Sequence, residues 1–131
     1  FPKLEADDVL GIMGTRGEYV IWSADKDLQT VPCTQWDGKD KYLVTEEQAD
    51  YQFFMQTLTG DSTDGYAGCP KVGPKKEEKI LQVEATWEKV VEAFVKNGLN
   101  ESEALTQARL ARILRDSDWN EDRQEVILWT P

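Results

Sequence analysis

The chain has 131 residues, 40% of them apolar and 31% charged, with a formal net charge of −10 and no histidine. That is enough chain to bury one core, and no run in it approaches the roughly 20 apolar residues that a membrane-spanning helix needs. Cys33 and Cys69 stand alone, in no C-x-x-C pattern, which argues against zinc and for free thiols in a reducing cytoplasm. Net acidity opposes phosphate binding unless part of the acid holds divalent cations, which would invert the local field.

In chain order, residues 4–16 read as a short helix on the spacing of Val9, Ile12, Met13 and Arg16, stopped by Gly17. On that wheel Glu5 lies near the Val9/Ile12 stripe, toward the core. Glu5, Asp7 and Asp8 also suit the positive end of the helix dipole, which is the plainer explanation of all three. Residues 18–24, β-branched and aromatic, read as a buried strand. Asp25 and Asp27 follow at its carboxyl end, where open α/β sheets gather ligands; a polar turn capping the next helix explains the pair about equally well.

Residues 33–44 read as a small hairpin turning at Asp37-Gly38, between residues 34–36 and 42–44. Thr45-Glu46-Glu47-Gln48 has the form of a capping box and opens a helix to about Leu58, with Phe53, Phe54 and Leu58 buried. Pro74 suits the first position of a helix reaching about Val83. Trp87, Val90, Val91, Phe94 and Val95 make an amphipathic stripe ended by Gly98. Asn100 and Glu103 start a helix to about Arg115, with Ala104, Leu105, Ala108, Ala111 and Leu114 as its core face. Residues 125–129 read as a last strand.

Three acidic clusters stand at element boundaries: Glu5/Asp7/Asp8, Asp25/Asp27 and Asp61/Asp64. Mg²⁺ takes oxygen ligands and keeps several waters, so carboxylates from separate segments are the expected design. Two such ions about 3.5–4 Å apart activate a water and stabilise the leaving oxygen in phosphodiester cleavage. Other patterns fail. Thr63 and Tyr66 stand where a calcium loop of the EF-hand kind needs Asp or Asn and then Gly. Gly11, Gly14 and Gly17 do not follow a strand, as a dinucleotide fingerprint would. Residues 68–79 are similar to a helix–hairpin–helix element, which presents backbone N–H groups and a helix N-terminus to phosphate. Lys71, Lys75, Lys76 and Lys79 make it a local basic patch; the blander alternative is a solvated face balancing Glu77 and Glu78.

The stretches EADD, SADKDL and GDSTDGYAGCPKVGPKK, in this order and spacing, resemble the 5′→3′ exonuclease and flap endonuclease superfamily, particularly the exonucleases of tailed phages. The likeness extends through FFMQTLTGD to QARLARILR and ILWTP, nearly the whole chain. It implies an α/β fold: a partial mixed or parallel sheet, then a helical half with the helix–hairpin–helix element. Residues 1–45 would be the C-terminal part of the metal-binding core, and 46–131 the helical region with its last strand, in one continuous domain.

The implied activity is 5′→3′ exodeoxyribonuclease hydrolysis at a 5′ end of duplex or flap DNA in the host cytoplasm, with two Mg²⁺ or Mn²⁺ ions and no membrane. Glu5, Asp7 and Asp8 would serve the first ion; Asp25, Asp27 and Asp64 the second, with Asp61 as ligand or outer acid. Glu5, Asp7, Asp25, Asp27 and Asp64 would be the catalytic set. Gly68, Lys71, Gly73, Lys75, Lys76 and Lys79 would grip the DNA backbone. Lys71-Val72-Gly73 stands where the family commonly has Gly-hydrophobic-Gly, so K⁺ binding at the hairpin and a Lys71–phosphate contact are alternatives. The start at Phe1, inside a charged motif, leads to the expectation that an N-terminal part of the same nuclease belongs with this chain. The alternative function is a catalytically incomplete DNA-binding or assembly module derived from such a nuclease.

Overall fold

The acidic start of the chain becomes α1, Ala6–Thr15, in a computed structural model that describes residues 4–17, 19–22, 25–70, 81 and 85–131, Lys26 by its backbone alone. Two compact units divide the chain: Phe1–Ala49 with Ile113–Leu128, and Asp50–Arg112 with Trp129–Pro131. The described residues hold four α-helices and small sheets, an α/β composition.

In the first unit α1 buries Gly11, Ile12 and Gly14. A Cβ at Gly11 would run into the Leu114 carbonyl, and one at Gly14 would stand 2.7 Å from Ile21 Cδ1. The face that packs is thus partly glycine, which a count of apolar residues does not weigh. Glu5 is the N-cap and exposed, not turned to the core as the wheel suggested. Helical geometry starts only at Ala6, so Glu5 lies off the wheel that was drawn through it.

The sheet is mixed. Strand β1, Ile21–Trp22, pairs in parallel with β2, Thr34–Trp36, and β2 pairs antiparallel with β3, Lys41–Leu43. Between β1 and β2 runs a 3₁₀ turn, Lys26–Thr30. Ile21, Leu28, Val31, Cys33 and Ile113 form the core on one sheet face. The expected buried strand over 18–24 is corrected: described pairing covers two residues, and Trp22 is 69% exposed. Side chains alternate along a strand, so Ile21 points inward while Trp22 stacks outward on Trp36, ring centroids 5.5 Å apart. Trp36 pairs with Lys41, leaving a loop over 37–40 in which Asp37 Oδ1 accepts the N–H groups of Lys39 and Asp40, each at 2.8 Å. Those amides hold the Asp37 carboxyl below its usual range.

Strand β4, Trp119–Asn120, pairs antiparallel with β5, Glu125–Val126. The expected strand over 125–129 stops at Val126, because its partner is only two residues long. Leu114 and Trp119 pack with Ile12 in a second cluster of this unit. Arg16 closes its surface with ion pairs at 2.8 Å to both Asp116 and Glu121.

Helix α2, Glu46–Thr59, opens with the expected capping box: the Thr45 N–H donates to Gln48 Oε1 at 3.0 Å, and the Gln48 N–H to Thr45 Oγ1 at 3.1 Å. In the second unit, residues of α2 pack with α3, Trp87–Lys96, and α4, Glu101–Ala111, around Phe53, Leu58, Val90, Phe94 and Ala108. The α3 stripe is rotated from the expected one: Ala93 is buried and Val95 is 57% exposed. The carbonyl of buried Ala93, a residue outside the expected stripe, accepts the Cys69 thiol at 3.5 Å. Helix α4 ends at Ala111, short of Arg115, because Arg112 turns extended. Trp129 packs edge-on against Phe53 and Trp87, with centroids at 5.0 and 5.1 Å. The expected helix from Pro74 to about Val83 falls outside the described residues, Leu81 excepted.

Candidate metal centre

The second unit carries a tight turn over residues 60–68. Asp61 and Tyr66 bond to each other through both backbone groups, at 2.8 and 3.1 Å. The Cys69 N–H donates to the Leu58 carbonyl at 2.8 Å. Gly60 and Gly68 both have positive φ, +71° and +69°. At their crossing, a Cβ on Gly60 would stand 2.5 Å from the Ala67 carbonyl oxygen and one on Gly68 2.6 Å from the Leu58 oxygen. Glycine is required at both positions, by conformation and by space. Tyr66 is buried and anchors the turn, while Asp64 remains exposed.

Inside the turn, Asp61 Oδ1 accepts the N–H groups of Thr63 at 2.9 Å and Asp64 at 3.3 Å. A carboxylate oxygen of Asp61 and one of Asp64 lie within 4.8 Å of each other. Divalent cations hold oxygen ligands at about 2.0–2.6 Å, so one ion fits between two oxygens at that spacing. Both donors are hard carboxylates, which suits Mg²⁺ or Mn²⁺ better than a soft thiolate site.

The first unit holds the other acids. Asp25 is the N-cap of the 3₁₀ turn, its Oδ1 accepting the Asp27 N–H at 3.0 Å, and Asp27 lies in the first turn. Glu5 caps α1 without a side-chain cap bond, and Asp7 and Asp8 occupy its first turn. Burial pushes the Asp8 carboxyl above its usual range; the Leu114 N–H, donating to Asp8 Oδ1 at 3.1 Å, opposes this, while Glu5 and Asp7 add to it. Lys71, Gly73, Lys75, Lys76 and Lys79 lie outside the described residues.

One contact has no sequence signature. The Gly68 N–H donates to Gln107 Oε1 of α4 at 2.8 Å, across 39 positions. Gln107 opens the QARLARILR stretch of the resemblance, but nothing in that stretch assigns it a role, and only tertiary pairing reveals this contact.

No protein-family model matches the chain, and no solved structure does. Among curated proteins it is similar to the exodeoxyribonuclease of Enterobacteria phage T3 and the exonuclease of Escherichia phage T7. Each is 31% identical over 170 residues, covering 99% of this chain and 56% and 57% of the respective relative. A flap endonuclease Xni of Shewanella loihica is 28% identical over 126 residues, 83% of this chain and 49% of its own length. The chain therefore spans little more than half of the phage relatives. The matched span of 170 residues also exceeds the 131 present here, so the relatives hold stretches within it that this chain lacks. The motif order, the α/β fold and these relatives agree: the chain belongs to the 5′→3′ exonuclease and flap endonuclease superfamily.

Proposed function

We propose that the chain acts in metal-dependent 5′→3′ hydrolysis of DNA phosphodiesters, as an exonuclease of the flap-endonuclease kind. The observation that carries the reading is the Asp61/Asp64 pair, two carboxylates within 4.8 Å on a turn that glycine crossings hold shut. In the proposal Asp25, Asp27 and Asp64 serve one divalent ion, with Asp61 as ligand or outer acid. Glu5, Asp7 and Asp8 serve the other. Bound Mg²⁺ or Mn²⁺ would supply activation of a water and neutralisation of charge on the phosphoryl oxygens.

The chain's own groups orient and grip. Asp61 spends one oxygen on two backbone amides, which fixes its carboxylate plane. Asp25 likewise holds the Asp27 backbone, setting the start of the 3₁₀ turn. The helix–hairpin–helix reading of residues 68–79 gives the phosphate contacts to Lys71, Gly73, Lys75, Lys76 and Lys79, with K⁺ at the hairpin as the alternative occupant. Gly68 contributes conformation, since its N–H already donates to Gln107. A polypeptide corresponding to the rest of the phage relatives would be the protein partner, and the host cytoplasm the place of action.

The second reading is a DNA-binding or assembly module without turnover, derived from such a nuclease. Gel analysis of 5′-labelled duplex and flap DNA, with Mg²⁺, Mn²⁺ or EDTA, separates the two. Labelled nucleotide released only with metal supports the nuclease. Retarded but intact DNA supports the module. DNA neither bound nor cut removes both.

A further inference from the structure

We propose that Gln107 is a positioning residue for the acidic turn, tying the backbone behind Asp61 and Asp64 to α4 so that the two carboxylates stay at ion-binding separation. The inference rests on the divalent-ion reading of that turn.

The turn's other described backbone bonds are local: Asp61 with Tyr66, and Cys69 with Leu58. They close the loop on itself and on the end of α2, while Tyr66 and Cys69 pack into the unit's core and the Cys69 thiol donates to the Ala93 carbonyl of α3. The Gly68 N–H adds a tie to α4. Gly68 is buried, and a buried N–H must find an acceptor. It finds the Gln107 side-chain carbonyl at 2.8 Å.

Gln107 can reach because of the helix it stands on. Ala104 and Ala111 lie at i−3 and i+4 on its side of α4, both buried, with Ala108 beside them. Three methyl side chains let the helix backbone come close, so a half-buried glutamine spans the remaining gap. Gly68 also crosses Gly60, the residue directly before Asp61. A shift of Gly68 is therefore passed through backbone contact to the first of the two acids. Groups that orient metal ligands from outside commonly change metal affinity about 10–100-fold when removed.

The test uses three forms of the chain: wild type, Gln107→Leu, which removes the acceptor at similar size, and Gln107→Glu, which keeps an acceptor oxygen. Free Mn²⁺ is followed by electron paramagnetic resonance, and backbone amides by ¹⁵N-resolved hydrogen exchange, at a temperature where circular dichroism shows all three folded. The expected result is Mn²⁺ affinity weakened about tenfold in Gln107→Leu, with the Gly68 and Asp61 amides exchanging at least about tenfold faster. Gln107→Glu should stay within about threefold of wild type or bind more tightly. Unchanged affinity in folded Gln107→Leu overturns the proposal, as does a Gln107→Glu variant as weak as the leucine. A purely architectural role would lower the melting temperature of Gln107→Leu without moving Mn²⁺ affinity.

If wild type itself binds no Mn²⁺, the divalent-ion reading fails, and amide exchange alone decides positioning. Unperturbed Gly68 and Asp61 amides in Gln107→Leu then overturn it, and selective loss of their protection upholds it. Should Gln107→Leu fail to fold, Gln107→Ala leaves room for water at the amide and takes its place in the same measurements.

Discussion

Asp25 carries two roles that a single atom separates. Its carboxylate accepts the Asp27 N–H as an N-cap, and its charge belongs to the proposed metal ligands. Asn keeps the accepting oxygen and loses the charge. Asp25→Asn should therefore leave the thermal midpoint nearly unchanged while cleavage is lost. Asp25→Ala should lose cleavage and also about 0.5–2 kcal/mol of stability, read by urea denaturation. Equal loss of stability in both would mean that the cap carries no weight.

Cys33 gives a second residue-scale test. Burial pushes its thiol up, only partly opposed by the Gln35 amide donating to Sγ at 3.9 Å. A raised pKa leaves the unreactive thiol dominant at neutral pH, and thiolate grows only as pH rises beyond the ordinary thiol range. In a Cys69→Ala background, Cys33 should react slowly with a disulfide reagent at pH 7.5 and fully once guanidinium unfolds the chain. Fast native reaction would contradict the packing. At this scale the acids were legible, because carboxylates at element boundaries are visible in sequence. Gln107 was not, because its role depends on a partner 39 positions away.

At the scale of elements, the turn over 60–68 depends on its two glycines more than on its acids. Gly60→Ala would force a side chain into positive φ and against the Ala67 backbone. The expected cost is at least about 2 kcal/mol, read by urea denaturation. A cost under about 0.5 kcal/mol would show that the crossing is looser than described. Local signals read the helix starts well: the Thr45/Gln48 box is present, and Asn100 Oδ1 accepts the Glu103 N–H at 2.9 Å. Those bonds link residues three apart, so sequence contains both partners. The extent of β1 and the rotation of α3 were not legible, since Trp22 and Val95 are as apolar as their buried neighbours. Which face is covered depends on what packs there: glycines on α1, and Ala93 beneath Cys69.

For the molecule as a whole, a net charge of −10 is an obstacle to DNA unless cations intervene. The fold class and family were legible because motif order survives where each motif alone is weak. Residues 113–128 return to the first unit and 129–131 to the second, a path set by tertiary packing. The central claim is that the acidic turn serves DNA hydrolysis through a divalent ion. Its most direct test is the rate of nucleotide release from 5′-labelled duplex in Mg²⁺, comparing wild type with Asp64→Asn, which preserves size and changes an exposed side chain. The account predicts metal-dependent release in wild type and a loss of at least about 100-fold in the variant, with the melting temperature held. Release by Asp64→Asn at the wild-type rate would contradict it.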